Sequence, residues 1–146
     1  MDRIQTLSTE ECLSLLATAS VGRVAMTRDA LPVILPVNYV VDGSSVLIRT
    51  TEGTILRAAR AGGAVVAFEV DELDERTMSG WSVLVTGTLR EVTAVSAVLR
   101  AEQLPLMPWT GGERRHFVRI TPGLLSGRRI ATSAAVPEAA AEAAAS

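Results

Sequence analysis

The sequence predicts a mainly β chain: an antiparallel barrel with short helices at its periphery. Six or so stretches read as strands, most connections between them are of hairpin length, and the segments with helical spacing are short. At 146 residues the chain can bury about two thirds of the surface its unfolded form exposes, so one domain over residues 1–130 is expected.

The opening segment Ser8-Thr9-Glu10-Glu11 has capping-box spacing, and Cys12, Leu15, Leu16 and Ala19 then share one helical face before Gly22 stops the run. From Gly22 the period changes to two. Arg23–Thr27 alternates, Asp29-Ala30 turns, and Pro32–Val41 reads as a long strand whose two prolines demand a bulge or an edge, because proline cannot donate to a ladder. Asp42-Gly43 is a hairpin signal and Ser45–Thr50 the returning strand, so the first three strands form a meander.

Ile55–Ala61, rich in helix formers and closed by Gly62-Gly63, predicts a short helix. Ala64–Val70 predicts a strand, followed by an acidic loop through Asp71, Glu72, Asp74 and Glu75. Trp81–Val92 predicts another long strand with a bulge or bend at Gly87, and Thr93 is placed to cap a helix ending near Gln103. Leu104–Gly112 reads as a loop and Phe117–Thr121 as the last clear strand, with Leu124–Ile130 as a further extended piece. The Ala-rich tail, residues 131–146, predicts disorder.

Composition excludes several chemistries. All 14 Lys+Arg residues are arginine, so there is no Schiff-base lysine, and a formal charge of −2 is no nucleic-acid footprint. Cys12 is the single cysteine and His116 the single histidine, which removes an internal disulfide, a Cys/His zinc site and a Cys-X-X-Cys pair. Cys12 sits on the apolar stripe, as a buried structural thiol would. No apolar h-region opens the chain and no stretch is long enough to span a membrane, so a cytoplasmic protein without membrane partners is expected. Hard chemistry is left to a bound cofactor.

Leu47–Thr54 ends a strand with a guanidinium and three hydroxyls and then opens a helix, a pattern suited to phosphate oxygens or, more plainly, to a solvated strand end. Trp81-Ser82 sets an aromatic beside a hydroxyl at a strand start, for a planar ligand or for the core. Glu69, Asp71, Glu72 and Asp74 are carboxylates without EF-hand spacing, which reads as a solvated loop. His116, between Arg115 and Phe117, is open to three roles: haem ligand, proton donor or strand-edge residue.

Taken together, Leu7–Leu16, Gly22–Ala25, Leu35–Val40, Arg49-Thr50 with Gly53, Ala67–Asp71, Gly80–Val83 and Ser126–Arg128 resemble the pyridoxamine 5′-phosphate oxidase-like family in order and spacing. The resemblance implies a split β-barrel, a six-stranded Greek-key-like antiparallel barrel with short flanking helices. It also implies a homodimer with two FMN molecules in clefts shared between subunits. By that likeness Pro36, Val37, Asn38 and Tyr39 face the flavin ring, Arg49, Thr50, Gly53 and Thr54 hold its phosphate or ribityl chain, Trp81 and Ser82 line the ring pocket, and Trp109 reaches the partner's site. Family members commonly carry a lysine where this chain has Ile55; losing one charge-assisted contact costs about 1.5–3 kcal/mol unless Arg57 or Arg60 compensates. The Arg- and His-containing C-terminal signature of true pyridoxamine phosphate oxidases is missing, so the expected activity is an FMN-dependent oxidation or reduction of another small molecule. A reductase using the deazaflavin cofactor F420, or a flavin- or haem-binding module without turnover, are the alternatives.

Overall fold

The computed structural model describes residues 3–106 and 116–131. In chain order the elements are β1 (Ile4–Thr6), α1 (Thr9–Leu16), β2 (Val21–Arg28), β3 (Leu31–Asp42), β4 (Ser45–Thr50), α2 (Thr54–Arg60), β5 (Ala64–Asp74), β6 (Ser79–Glu91), α3 (Val95–Glu102) and β7 (His116–Ile130). Strands β2–β3–β4–β7–β6–β5 close into an antiparallel ring, and β1 adds to the far end of β7. After the β2–β3–β4 meander, β5 returns beside β2, the Greek-key path. The expected split barrel is present. Among the described residues no helix is long and apolar enough to cross a membrane.

Alternation explains the barrel. In β6, Trp81, Val83, Val85, Gly87 and Leu89 point inward, while Ser82, Leu84, Thr86 and Thr88 point outward. Phe68, Val24, Val70 and Ile120 join them in one core, closed at one end by Cys12 and Leu16 of α1 and supported elsewhere by Ile55, Leu56 and Ala59 of α2. On the other face of β4 and β7, Leu47 and Phe117 pack with Ala101 and Leu106 into a small second core beneath α3.

The capping box forms as expected: Glu11 N–H donates to Ser8 Oγ at 3.1 Å and Ser8 N–H donates to Glu11 Oε1 at 3.0 Å. Residues 31–38 of β3 pair only with β2, because pairing with β4 runs from Tyr39 to Asp42; Pro32 and Pro36 thus occupy an edge, as their missing N–H requires. At Gly87 the β6–β7 register shifts, and a side chain there would run into the Thr121 carbonyl, so the bulge expected at this glycine is real.

Three expectations are corrected and one strand is new. Asp71–Asp74 belong to β5, paired with Ser79–Ser82, because a hairpin satisfies their backbone while their carboxylates face water. Residues 117–121 and 124–130 are one strand: Pro122 stays paired with Gly87, and the single extra residue, Gly123, is absorbed by the bulge. Thr93 does not cap α3; Ala94 holds that position, with no side-chain hydrogen bond. Strand β1 carried too short a pattern to be read. Most of the tail expected to be disordered lies outside the described residues, although Ala131 N–H donates to the Arg3 carbonyl at 2.9 Å.

Candidate functional site

The sequence-predicted residues fall into two groups. Arg49 and Thr50 end β4, pairing with Phe117 and His116 at the start of β7. Continuing the β3–β4 register from Tyr39↔Ile48 would set Val37 opposite Thr50, but the ladder stops there and the two edges separate. Pro36, Val37 and Asn38 therefore line one side of a split, with Arg49, Thr50, Gly53 and Thr54 on the other. Arg49 lies over the Phe117 ring, its guanidinium carbon 5.4 Å from the centroid, which fixes a planar cation at the strand end. Gly53 has φ +157°, a conformation that favours glycine, and the space its side chain would take is open to 4 Å.

Trp81 and Ser82 form the second group. They pair with Arg129 and Arg128, twelve positions along β7 from the His116 that pairs with Thr50. That is a nominal strand length of about 40 Å, shortened by coiling and the bulge. The two groups thus lie toward opposite ends of β7. Trp81 is 7% exposed and packs in the barrel core, its edge reaching a shallow cavity beside Glu72 and Ser79. Ser82, like Pro36 and Asn38, lies on the outer face of the sheet. Trp109 lies outside the described residues.

Tyr39 is buried in the interior. Its hydroxyl donates to the Leu16 carbonyl at the end of α1, its ring stands edge-on to Phe68 with centroids 4.9 Å apart, and burial pushes its hydroxyl up to about 12. Packing and tethering α1 account for its side chain. Burial, followed by the charge of Glu11, likewise raises the Cys12 thiol, in keeping with a structural cysteine.

A charged network that the sequence did not reveal borders the cradle. Arg60 forks onto Glu91, Nε to Oε1 at 2.8 Å and Nη2 to Oε2 at 3.2 Å, and reaches Glu52 Oε1 at 3.3 Å. Both ring nitrogens of His116 face carboxylates, Nδ1 toward Glu91 at 3.4 Å and Nε2 toward Glu52 at 3.6 Å. The Arg60 hydrogen bonds hold the Glu91 carboxyl below its ordinary range. Residues 52, 60, 91 and 116 share no local pattern, so no sequence signal joins them.

Ile55, at the position where the lysine was expected, is 8% exposed and belongs to the core. Arg60 is committed to Glu91 and Glu52. Arg57 is exposed, has no ion-pair partner among the described residues, and lines a cavity of about 420 Å³ with Thr54 and Arg28.

On the outer face, Glu69 lies 3.5 Å from Arg23 and beside Asp71. Desolvation, then the hydrogen bond and charge of Asp71, push its carboxyl up to about 7 against the pull of Arg23.

The fold is a six-stranded antiparallel split barrel whose split is bordered by Arg49, Thr50 and Gly53. The profile of the family described as pyridoxamine 5′-phosphate oxidase matches residues 8–129, and the chain belongs to that family. It is 39% identical over 135 residues to an uncharacterized Mycobacterium tuberculosis protein, Rv0080, covering 90% of this chain and 88% of that one. A Corynebacterium glutamicum crystal structure superposes with TM-score 0.80 at 32% identity, covering 91% of this chain and 97% of the other. The structure of the FAD binding protein from Mycobacterium smegmatis superposes with TM-score 0.74 at 37% identity, covering 87% and 98%.

Proposed function

We propose that the chain is a cytoplasmic flavin-dependent oxidoreductase that holds the flavin ring, ribityl chain and phosphate of FMN and acts on a small molecule other than pyridoxamine phosphate. The observation that carries this reading is the split itself. Two strand edges part beside Arg49 and Thr50, leaving backbone polar groups on the 31–38 edge for a ring and a fixed cation for a phosphate. Arg49, Thr50, Gly53 and Thr54 bind the phosphate end, and the edge at Pro36–Asn38 orients the ring. The FAD-binding M. smegmatis relative supports a flavin as the occupant. When bound, the flavin supplies hydride or electron transfer, which agrees with the lack of a catalytic triad in the sequence. In this reading Asn38 and Ser82 hydrogen-bond the ring's polar edge.

The reading includes a homodimer. Trp81 and Ser82 lie toward the opposite end of β7 from Thr50, and a twofold partner can supply them. The outer sheet face offers a surface for it: the cross-strand row Ile34, Ala25, Ala67, Thr86 and Leu124 spans five strands, with Ile34 67% and Leu124 71% exposed.

Titrating purified protein with FMN, followed by visible absorption, tests the reading, with light scattering for assembly. A saturable FMN shift, weakened in Arg49→Ala, and a dimeric mass are expected. Failure to bind any flavin would overturn the cofactor assignment, and a monomer at micromolar concentration would remove the shared cleft.

A further inference from the structure

The charged network that borders the cradle is a closed ring. Arg60 donates to Glu91 through Nε at 2.8 Å and Nη2 at 3.2 Å, and to Glu52 through Nη1 at 3.3 Å. His116 completes the circuit, with Nδ1 3.4 Å from Glu91 and Nε2 3.6 Å from the same Glu52 oxygen that Arg60 holds. Four elements meet in it: the β4–α2 loop, α2, the end of β6 and the start of β7. Two of its members join the cradle through the backbone, because Glu52 immediately precedes Gly53 and His116 pairs with Thr50. The charged groups facing the His116 ring are Glu91 from β6, Glu52 from the loop and, behind both carboxylates, Arg60 from α2. On β4 its partner Thr50 is neutral, and the next rung holds Arg49 over Phe117.

The ring is balanced only when the imidazole is charged. Protonated, His116 has a donor for each carboxylate, and two cations face two anions. Neutral, it keeps one N–H, turns a lone pair to the other carboxylate and leaves the ring with a net negative charge. Glu91 is protected from this loss: its side chain is 17% exposed, Arg60 forks onto both of its oxygens, and those hydrogen bonds hold its carboxyl below its ordinary range. Glu52 is not, being 70% exposed, farther from the ring and held by Arg60 through Nη1 alone. We infer that His116 is a positioning residue that acts on the anion cradle through Glu52: the protonated ring anchors and neutralises the carboxylate next to Gly53, and the neutral ring leaves it as an uncompensated charge that weakens anion binding. The inference rests on the flavin reading above for the natural anion, and adds pH as a control on how tightly it is held. By linkage, an anion in the cradle favours the protonated ring. Because Glu52 is exposed the effect is screened, about three- to fivefold across the range in which an imidazole changes charge, and it shrinks with added salt.

Titrations of the full-length chain with FMN and with sulfate, a tetrahedral dianion whose charge is constant between pH 6 and pH 8, test the inference on wild type, His116→Gln and Glu52→Gln. Sulfate binding is read at the NMR amide signals of residues 49–54. Wild-type affinity for sulfate is expected to fall about three- to fivefold from pH 6 to pH 8. The variants are expected to part, His116→Gln staying at the weak level at both pH values and Glu52→Gln at the tight level, a split that a shared structural role would not give. FMN gains its second phosphate charge at about pH 6, so its affinity for wild type is compared with that for Glu52→Gln, against which it is expected to lose the same factor. A further readout needs no variant: at pH 7, sulfate is expected to move the resonances of the single imidazole toward the protonated form. Sulfate affinity independent of pH in wild type, or equal in the two variants, would overturn the inference. If sulfate follows the expected pattern and FMN does not bind, the switch stands and the flavin reading fails. Where only FMN binds, its wild-type to Glu52→Gln ratio decides, and a constant ratio overturns the inference while leaving the flavin reading. If neither ligand binds, both fail.

Discussion

The α1 and α2 regions of the barrel are built from the same strands and differ in what fills them. At α1, Leu16 and Cys12 are fully buried, a capping box finishes the helix, and the Tyr39 hydroxyl takes up the carbonyl at its end, so nearly every group has a partner inside the fold. At α2 the strands part, and Arg49, Arg57, Arg60, Glu52, Glu91 and His116 gather at the surface around a split and a cavity. Stability is concentrated where burial is complete, and binding chemistry where the ladder is left unfinished.

The contrast can be tested from both sides. Leu16→Ala should destabilise the chain by about 2–5 kcal/mol, seen in denaturant melts, while leaving FMN affinity per folded molecule unchanged; a matching loss of affinity would mean the two regions are coupled. Arg49→Ala should do the reverse, weakening FMN about ten- to hundredfold with little change in the melting midpoint. Ser8→Ala removes the cap and should cost about 1 kcal/mol, again without touching flavin binding. At the β2–β3 turn, Ala30 has φ 65°, so Ala30→Gly should raise stability by about 1 kcal/mol; no gain would show that the left-handed alanine carries no strain.

A further effect belongs to the outer face. The folded state holds the Glu69 proton up to about pH 7, whereas the ordinary carboxyl value is 4.5, so between these values the native chain binds more protons than the unfolded one. Its contribution to stability is complete below about pH 4.5 and is lost as pH rises through about 7. Denaturant midpoints measured at pH 5 and pH 8 should fall with pH in wild type and differ less in Glu69→Gln; identical slopes would remove Glu69 as the cause.

Much of the barrel was legible because its signals are local. The period-two alternation, the Asp29-Ala30 and Asp42-Gly43 turns, the capping box at Ser8 and the glycine at 87 each act within a few residues. The misread elements were those where pairing outweighed composition: Asp71–Asp74 joined a strand because β6 was there to pair with it, and Pro122-Gly123 bent a strand without ending it. The site was half legible. Arg49, Thr50 and Gly53 are contiguous and could be read as a unit, and the family resemblance rests on the same contiguous pieces.

Sequence sufficed for the residue inventory and its exclusions: no lysine, one cysteine, one histidine, and an Arg49–Thr54 segment suited to an anion. Long-range contacts settled the rest. They buried Ile55, bound Arg60 to Glu91, set Arg57 and Arg28 along one cavity, and placed Trp81 at the opposite end of β7 from the cradle. A side chain's type is written in the chain, but its partners depend on which strands close the ring, and closure joins residues tens of positions apart that no local pattern connects.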